Sequence, residues 1–203
     1  MKPGIFRAFL FSWEPRVQLP SPIGEGLGVR FKCIIIKIME TMVLERYILN
    51  AEEAFDRNEF LEGLEILEEA LTIDPTFGKA HNHIGWLYLH KIIDKEKAEK
   101  HLELALKYAP LYAAPYIHMS HLLFEKGRHK ELTALLNKAN ALGVVDKSFI
   151  HNEYGRLFEV RREFRKAVKN YKTAISFTFS DQDLNMYRDN IRRCRDKRWI
   201  LMF

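Results

Sequence analysis

Small residues recur along this chain at an interval that few folds can use. Ala51, Gly85, Ser120 and Gly155 lie 34, 35 and 35 residues apart. Four residues ahead of each stands a ring (Tyr47, His81, Tyr116, His151), and three residues after each comes Ala54, Tyr88, Leu123 or Phe158. A second alanine follows in every unit at Ala70, Ala105, Ala139 and Ala174, preceded by Leu67, Leu102, Leu136 and Tyr171. Self-similarity at such a period marks a stacked repeat in which each unit is one supersecondary element. Apolar residues Leu44, Tyr47, Ile48, Ala51, Ala54 and Phe55 share one face of a 3.6-residue period, and Leu61, Leu64, Leu67 and Leu71 do the same further on. Each unit therefore predicts two antiparallel helices, with the small residues letting the backbones approach and the rings filling the space beside them. Pro75 and Pro110 end the first two units because proline offers no amide to a continuing helix.

With the small–aromatic spacing on the first helix, the small–aromatic–alanine spacing on the second and the closing proline, residues 44–180 resemble the tetratricopeptide-repeat family. The resemblance implies an all-α, right-handed superhelical solenoid of four helix pairs, at about 44–77, 78–112, 113–147 and 148–180. Leu132 stands where the second helix of unit three should open on a small residue, and Val144 and Phe179 replace the terminal proline. Residues 181–203 then predict a capping helix and tail: Ser180 and Asp183 form a capping-box pair, and Leu184, Tyr187, Ile191 and Cys194 form a narrow apolar stripe. Such a helix would shield the last repeat from water.

Residues 1–41 show no helical or strand period. The stretch LPSPIGEGLGVRF, Leu19 to Phe31, resembles the translation of an intergenic element found where bacterial reading frames are begun too early. The expected start is then Met39 or Met42, the alternatives being a disordered leader or a segment lying along the first helix. No apolar run approaches the ~20 residues that cross a bilayer, and Trp-Glu-Pro follows IFRAFLF where a secretory signal would carry small residues. Cys33 and Cys194 form no ligand pair and suit a reducing compartment, so a cytoplasmic location is expected.

The net charge of +5 is unevenly spread. Residues 44–77 carry ten Asp/Glu against two Lys/Arg, whereas residues 148–180 carry three against seven. This polarity suggests a second role, in which the acidic end of one copy meets the basic end of another in a weak, heterologous, salt-sensitive contact. The basic patch Arg188, Arg192, Arg193, Arg195, Lys197 and Arg198 reads first as a charged face on the capping helix, with an acidic protein or nucleic acid as the alternative use; nucleic acid is not the expected partner, and neither is a membrane.

The histidine-rich stretch AHNHIGWLYLHK, Ala80 to Lys91, is mostly architecture, since His81, Gly85 and Tyr88 occupy repeat positions. By the resemblance, the first helices line a concave groove, with Glu52 from unit one, Asn82, His83 and Trp86 from unit two, His118 and His121 from unit three, and Asn152 and Arg156 from unit four. Aromatic area beside amides that can bridge a peptide backbone points to a protein or peptide partner. The carboxylate clamp of some co-chaperone relatives is missing: its places hold Ile48, Glu52, His83, Ala114 and His118. No phosphate loop, nucleophile elbow or paired CxxC appears, so no catalytic residue, cofactor or metal site is expected; His83, His118, His121 and Glu125 could converge, but their spacing does not require it.

Overall fold

The structure is a computed structural model that describes residues 25–201, and every regular element among them is helical. In chain order these are α1 (Glu25–Asp56), α2 (Phe60–Ile73), α3 (Gly78–Leu87), α4 (Lys95–Tyr108), α5 (Ala114–Glu125), α6 (His129–Leu142), α7 (Lys147–Val160), α8 (Phe164–Ile175) and α9 (Asp181–Ile200), with a π turn at Tyr88–Ile92 after α3. The chain divides into two compact units at Val43/Leu44.

In the first unit the described residues are helical from Glu25, where the sequence showed no period. The reason lies in Ile34–Ile35–Ile36, three consecutive isoleucines that place apolar side chains around the whole helix and erase the 3.6-residue signal. Phe31, Ile34, Ile35, Ile38 and Met42 are all more than half exposed. Residues 1–24, and with them the first six residues of Leu19–Phe31, lie outside the described residues.

The second unit is the all-α solenoid that the period requires. Successive helices pack in order: α2 on α3, α3 on α4, and so on to α8 on α9. The small residues sit at the closest approaches. A Cβ on Gly85 would come 2.8 Å from Leu102 Cγ, and one on Gly155 would come 2.5 Å from the Tyr171 ring. The large residue three before each second-helix alanine is thus the one that fills the hollow left by the small residue of the first helix. Leu67, Leu102, Leu136 and Tyr171 are buried in consequence, as is Leu132. The rings ahead of the small residues fasten the preceding turn: His81 Nε2 lies 3.1 Å from the Pro75 carbonyl, and the Tyr116 hydroxyl donates to the Pro110 carbonyl at 3.0 Å.

Each helix pair turns through one residue in the left-handed region: Asn58 (φ 62°), Ile93 (φ 62°), Gly127 (φ 67°) and Arg162 (φ 57°). Only Gly127 meets this without a Cβ penalty. In three turns the next amide closes on a carbonyl five residues back, with Glu59 on Ala54, Arg128 on Leu123 and Glu163 on Phe158, at 2.8–2.9 Å. Unit two has one residue more between its small residue and its turn, and there the Asp94 amide reaches six back to Tyr88 at 2.9 Å. The π turn Tyr88–Ile92 takes up that extra residue. Beyond the turn the units are again in phase. Side chains cap three of the helix starts: Asp94 accepts from the Lys97 amide, Asp146 from Ser148 and Ser180 from Asp183.

Candidate functional site

The first helices of successive units carry equivalent residues one repeat apart, and these build three rows: Asn82, Ile117 and Asn152; His83, His118 and Glu153; Trp86, His121 and Arg156. The last two rows turn from imidazole or indole to a charged pair within one unit. Glu153 is 1% exposed, and its carboxylate accepts from Arg156 Nη1 at 2.9 Å. The Arg156 guanidinium in turn lies 3.9 Å from the centre of the Phe124 ring. A carboxylate this buried is costly unless such a partner offsets its lost hydration. Asn152 is buried beside it, donating to Glu153 at 3.2 Å and accepting from Asn190 of α9 at 3.3 Å.

These groups form one wall of a cleft of about 750 Å³. Ile117 and His121 enter it from α5, Phe149 and the Asn152–Glu153–Arg156 set from α7, and Met186, Tyr187, Asn190 and Arg193 from α9, with Phe177 to Ser180 closing one end. Apolar anchors therefore surround an oriented amide and a locked ion pair, a combination suited to gripping a side chain while fixing the backbone that carries it.

Of the groove residues expected from the sequence, the cleft gathers His121, Asn152 and Arg156. The other five lie outside its lining. Glu52 is exposed on α1, its Oε1 3.7 Å from His83 Nε2. Asn82 is 2% exposed, and its Oδ1 has no hydrogen-bond partner. Trp86 is half-buried between Phe55 and His90, at 5.5 and 5.7 Å between ring centres. His118 is half-buried with Nδ1 unpartnered; burial first, then the neighbouring His90, His121 and His83, lowers its pKa to about 4. Burial likewise lowers His83, His90 and His121, so these four imidazoles are neutral at neutral pH. No three His, Cys, Asp or Glu side chains among the described residues converge as a metal cage.

The basic patch is divided by its partners. Arg193 and Lys197 turn inward to Glu159 of α7, at 2.7–2.8 Å, and Arg192 pairs with Asp189 at 2.9 Å. Arg188, Arg195 and Arg198 are exposed. Glu159 also accepts from the Tyr171 hydroxyl at 3.0 Å. Burial opposes its charge, but the hydrogen bonds from Arg193, Lys197 and Tyr171 outweigh that and hold it at about 2. Sequence reasoning missed Glu153 and the contribution of α9 to the cleft. The signal was present: Glu153 lies 35 residues after His118, and Tyr187 lies 35 after Asn152, so α9 stands where the first helix of a fifth unit would.

No protein-family model matches the chain. Solved structures do, and they show the tetratricopeptide-repeat fold. PilF of Pseudomonas aeruginosa superposes with a TM-score of 0.63 at 15% identity over 76% of this chain and 78% of its own. YrrB, described as a tetratricopeptide-repeat protein with an unusual peptide-binding site, gives 0.59 at 17% identity, covering 78% of this chain and 83% of its own. Yeast Tom70 gives 0.67 at 18% identity over 77% of this chain but 34% of its own length. The array of residues 44–180, together with the helix that follows it, has the fold of this repeat class.

Proposed function

We propose that this chain is a protein-interaction adaptor that holds a segment of a partner in the groove lined by α3, α5, α7 and α9. In this reading it works by binding and not by catalysis, in the cytoplasm, through four units at about 44–77, 78–112, 113–147 and 148–180 capped by 181–203. The observation that carries it is the cleft of about 750 Å³ between α5, α7 and α9, where Phe149, Phe177 and Met186 flank the Asn152 amide and the Glu153–Arg156 pair. The unpartnered Oδ1 of Asn82 further along the row supports it, since a buried acceptor left unpaired is costly and a partner's backbone amide would relieve it. No helix of the described residues is long and apolar enough to cross a membrane.

The test is capture from native lysate by the full chain, beside Phe149→Ala/Met186→Ala and Trp86→Ala versions checked for unchanged helicity. A protein retained by the parent and by Trp86→Ala, but lost by the double variant, would support the cleft as the working surface. Equal retention by all three would overturn the groove reading.

A further inference from the structure

The second helices of the units expose equivalent positions to solvent, and along those positions the charge reverses. Counting from the left-handed turn residue, Glu62, Glu65 and Glu68 of α2 correspond to Lys166, Lys169 and Lys172 of α8. All six are exposed. The corresponding places on α4 are Lys97, Lys100 and Glu103, and on α6 Glu131, Ala134 and Asn137, so no run of one sign separates the two ends.

The stripe on α8 is short of partners. Lys166 pairs with Glu163, but among the described residues Arg165, Lys169 and Lys172 make no ion pair, and neither do Glu65 and Glu68 of α2. A shallow cleft of about 450 Å³ runs along the stripe between Arg165, Val168, Lys169, Lys172, Thr173 and Ser176. An elongated polyanion lying along this surface would be repelled by α2. A second copy meets no such repulsion, because it brings glutamates to the lysines and lysines to the glutamates.

We propose that two copies of this chain associate through these outer surfaces, α2 of each seated on α8 of the other. One two-fold rotation satisfies both pairings, so the contact is isologous and closes at two copies, unlike the open head-to-tail contact that charge polarity alone suggests. It leaves the groove and its cleft free. The interaction is independent of the adaptor reading and stands or falls separately from it.

The experiment is sedimentation velocity of the full chain over a range of concentrations, at about 50 mM and about 500 mM salt, where screening separates surface ion pairs from apolar contacts. The parent is expected to reach a dimer at low salt and dissociate at high salt. Lys169→Glu/Lys172→Glu and Glu65→Lys/Glu68→Lys are each expected to weaken self-association about tenfold or more. Mixing the two variants, or combining all four changes in one chain, is expected to restore it, and circular dichroism checks that each remains helical. A chain that is monomeric at low salt, or a dimer indifferent to these reversals, would overturn the proposal. So would growth beyond two copies with concentration, or a monomer whose α8 stripe instead binds a single-stranded RNA probe.

Discussion

Gly85 shows how little room the repeat leaves to one residue. Its absent Cβ is a 2.8 Å contact with Leu102, on a helix whose own backbone amide at Leu102 lies only 3.3 Å away. Gly85→Leu is expected to destabilise the fold by about 1–3 kcal/mol or more, read as a lower denaturant midpoint; a parent-like melt would mean that the register is wrong. At the turn the imbalance runs the other way. Ile93 carries a β-branched side chain at φ 62°, where such residues are strained. Ile93→Gly should raise stability by about 1 kcal/mol, less what the more flexible unfolded chain takes back. Gly85 was legible in the sequence because steric rules attach to spacing; Ile93, with no glycine to mark its turn, emerged only in the structure. Trp86 was not legible either: its place between Phe55 and His90 depends on how three rings share one hollow, which spacing does not specify.

Among the elements, α3 and α9 depart most from their neighbours. The π turn after α3 stores one spare residue, so deleting Lys91 should return unit two to the seven-residue interval of the other units. The cost is expected to stay within about 1 kcal/mol, whereas deleting Met119 from α5, which has nothing to spare, should abolish a cooperative melt. Paired thermal melts of the two deletions decide it. The last helix is held to α7 by Glu159, which accepts from Arg193, Lys197 and Tyr171. Glu159→Gln should cost about 1–3 kcal/mol, as expected for lost hydrogen bonds to a charge, and should increase hydrogen exchange in α9 before the rest of the array. The apolar stripe and cap of α9 could be read in advance. Its part in the cleft was signalled only by the repeat interval from Asn152 to Tyr187, because a helix lacking the small-residue signature gives no local sign that it occupies the next first-helix position.

For the whole molecule, acid should act in two stages. His101 and His118 have folded values lowered from 6.5 to about 4, mainly by burial, so the unfolded chain takes up their protons first. Stability should therefore fall between about pH 6.5 and pH 4, by on the order of 1 kcal/mol per histidine. Below about pH 4.5 the unfolded chain protonates the residue that the fold keeps ionised at Glu159, and the loss continues toward pH 2. Denaturant midpoints measured across this range check both stages; Glu159→Gln should flatten only the lower one. The period disclosed the helix pairs, and the charge map disclosed two unlike ends. Neither disclosed the Glu153–Arg156 lock, since its worth lies in a burial that only the stacked array creates.

An array that can lodge a surplus residue in one turn of one helix has, in effect, a spliceable joint. The surplus between Gly85 and Ile93 leaves Ala98 and Ala105 where units of ordinary length would have them, counted from the turn. Length and phase are thus separable in this molecule. A module borrowed from an unrelated array and grafted just after Ile93 would inherit the correct pitch from the turn, whatever the length of the helix that leads into it.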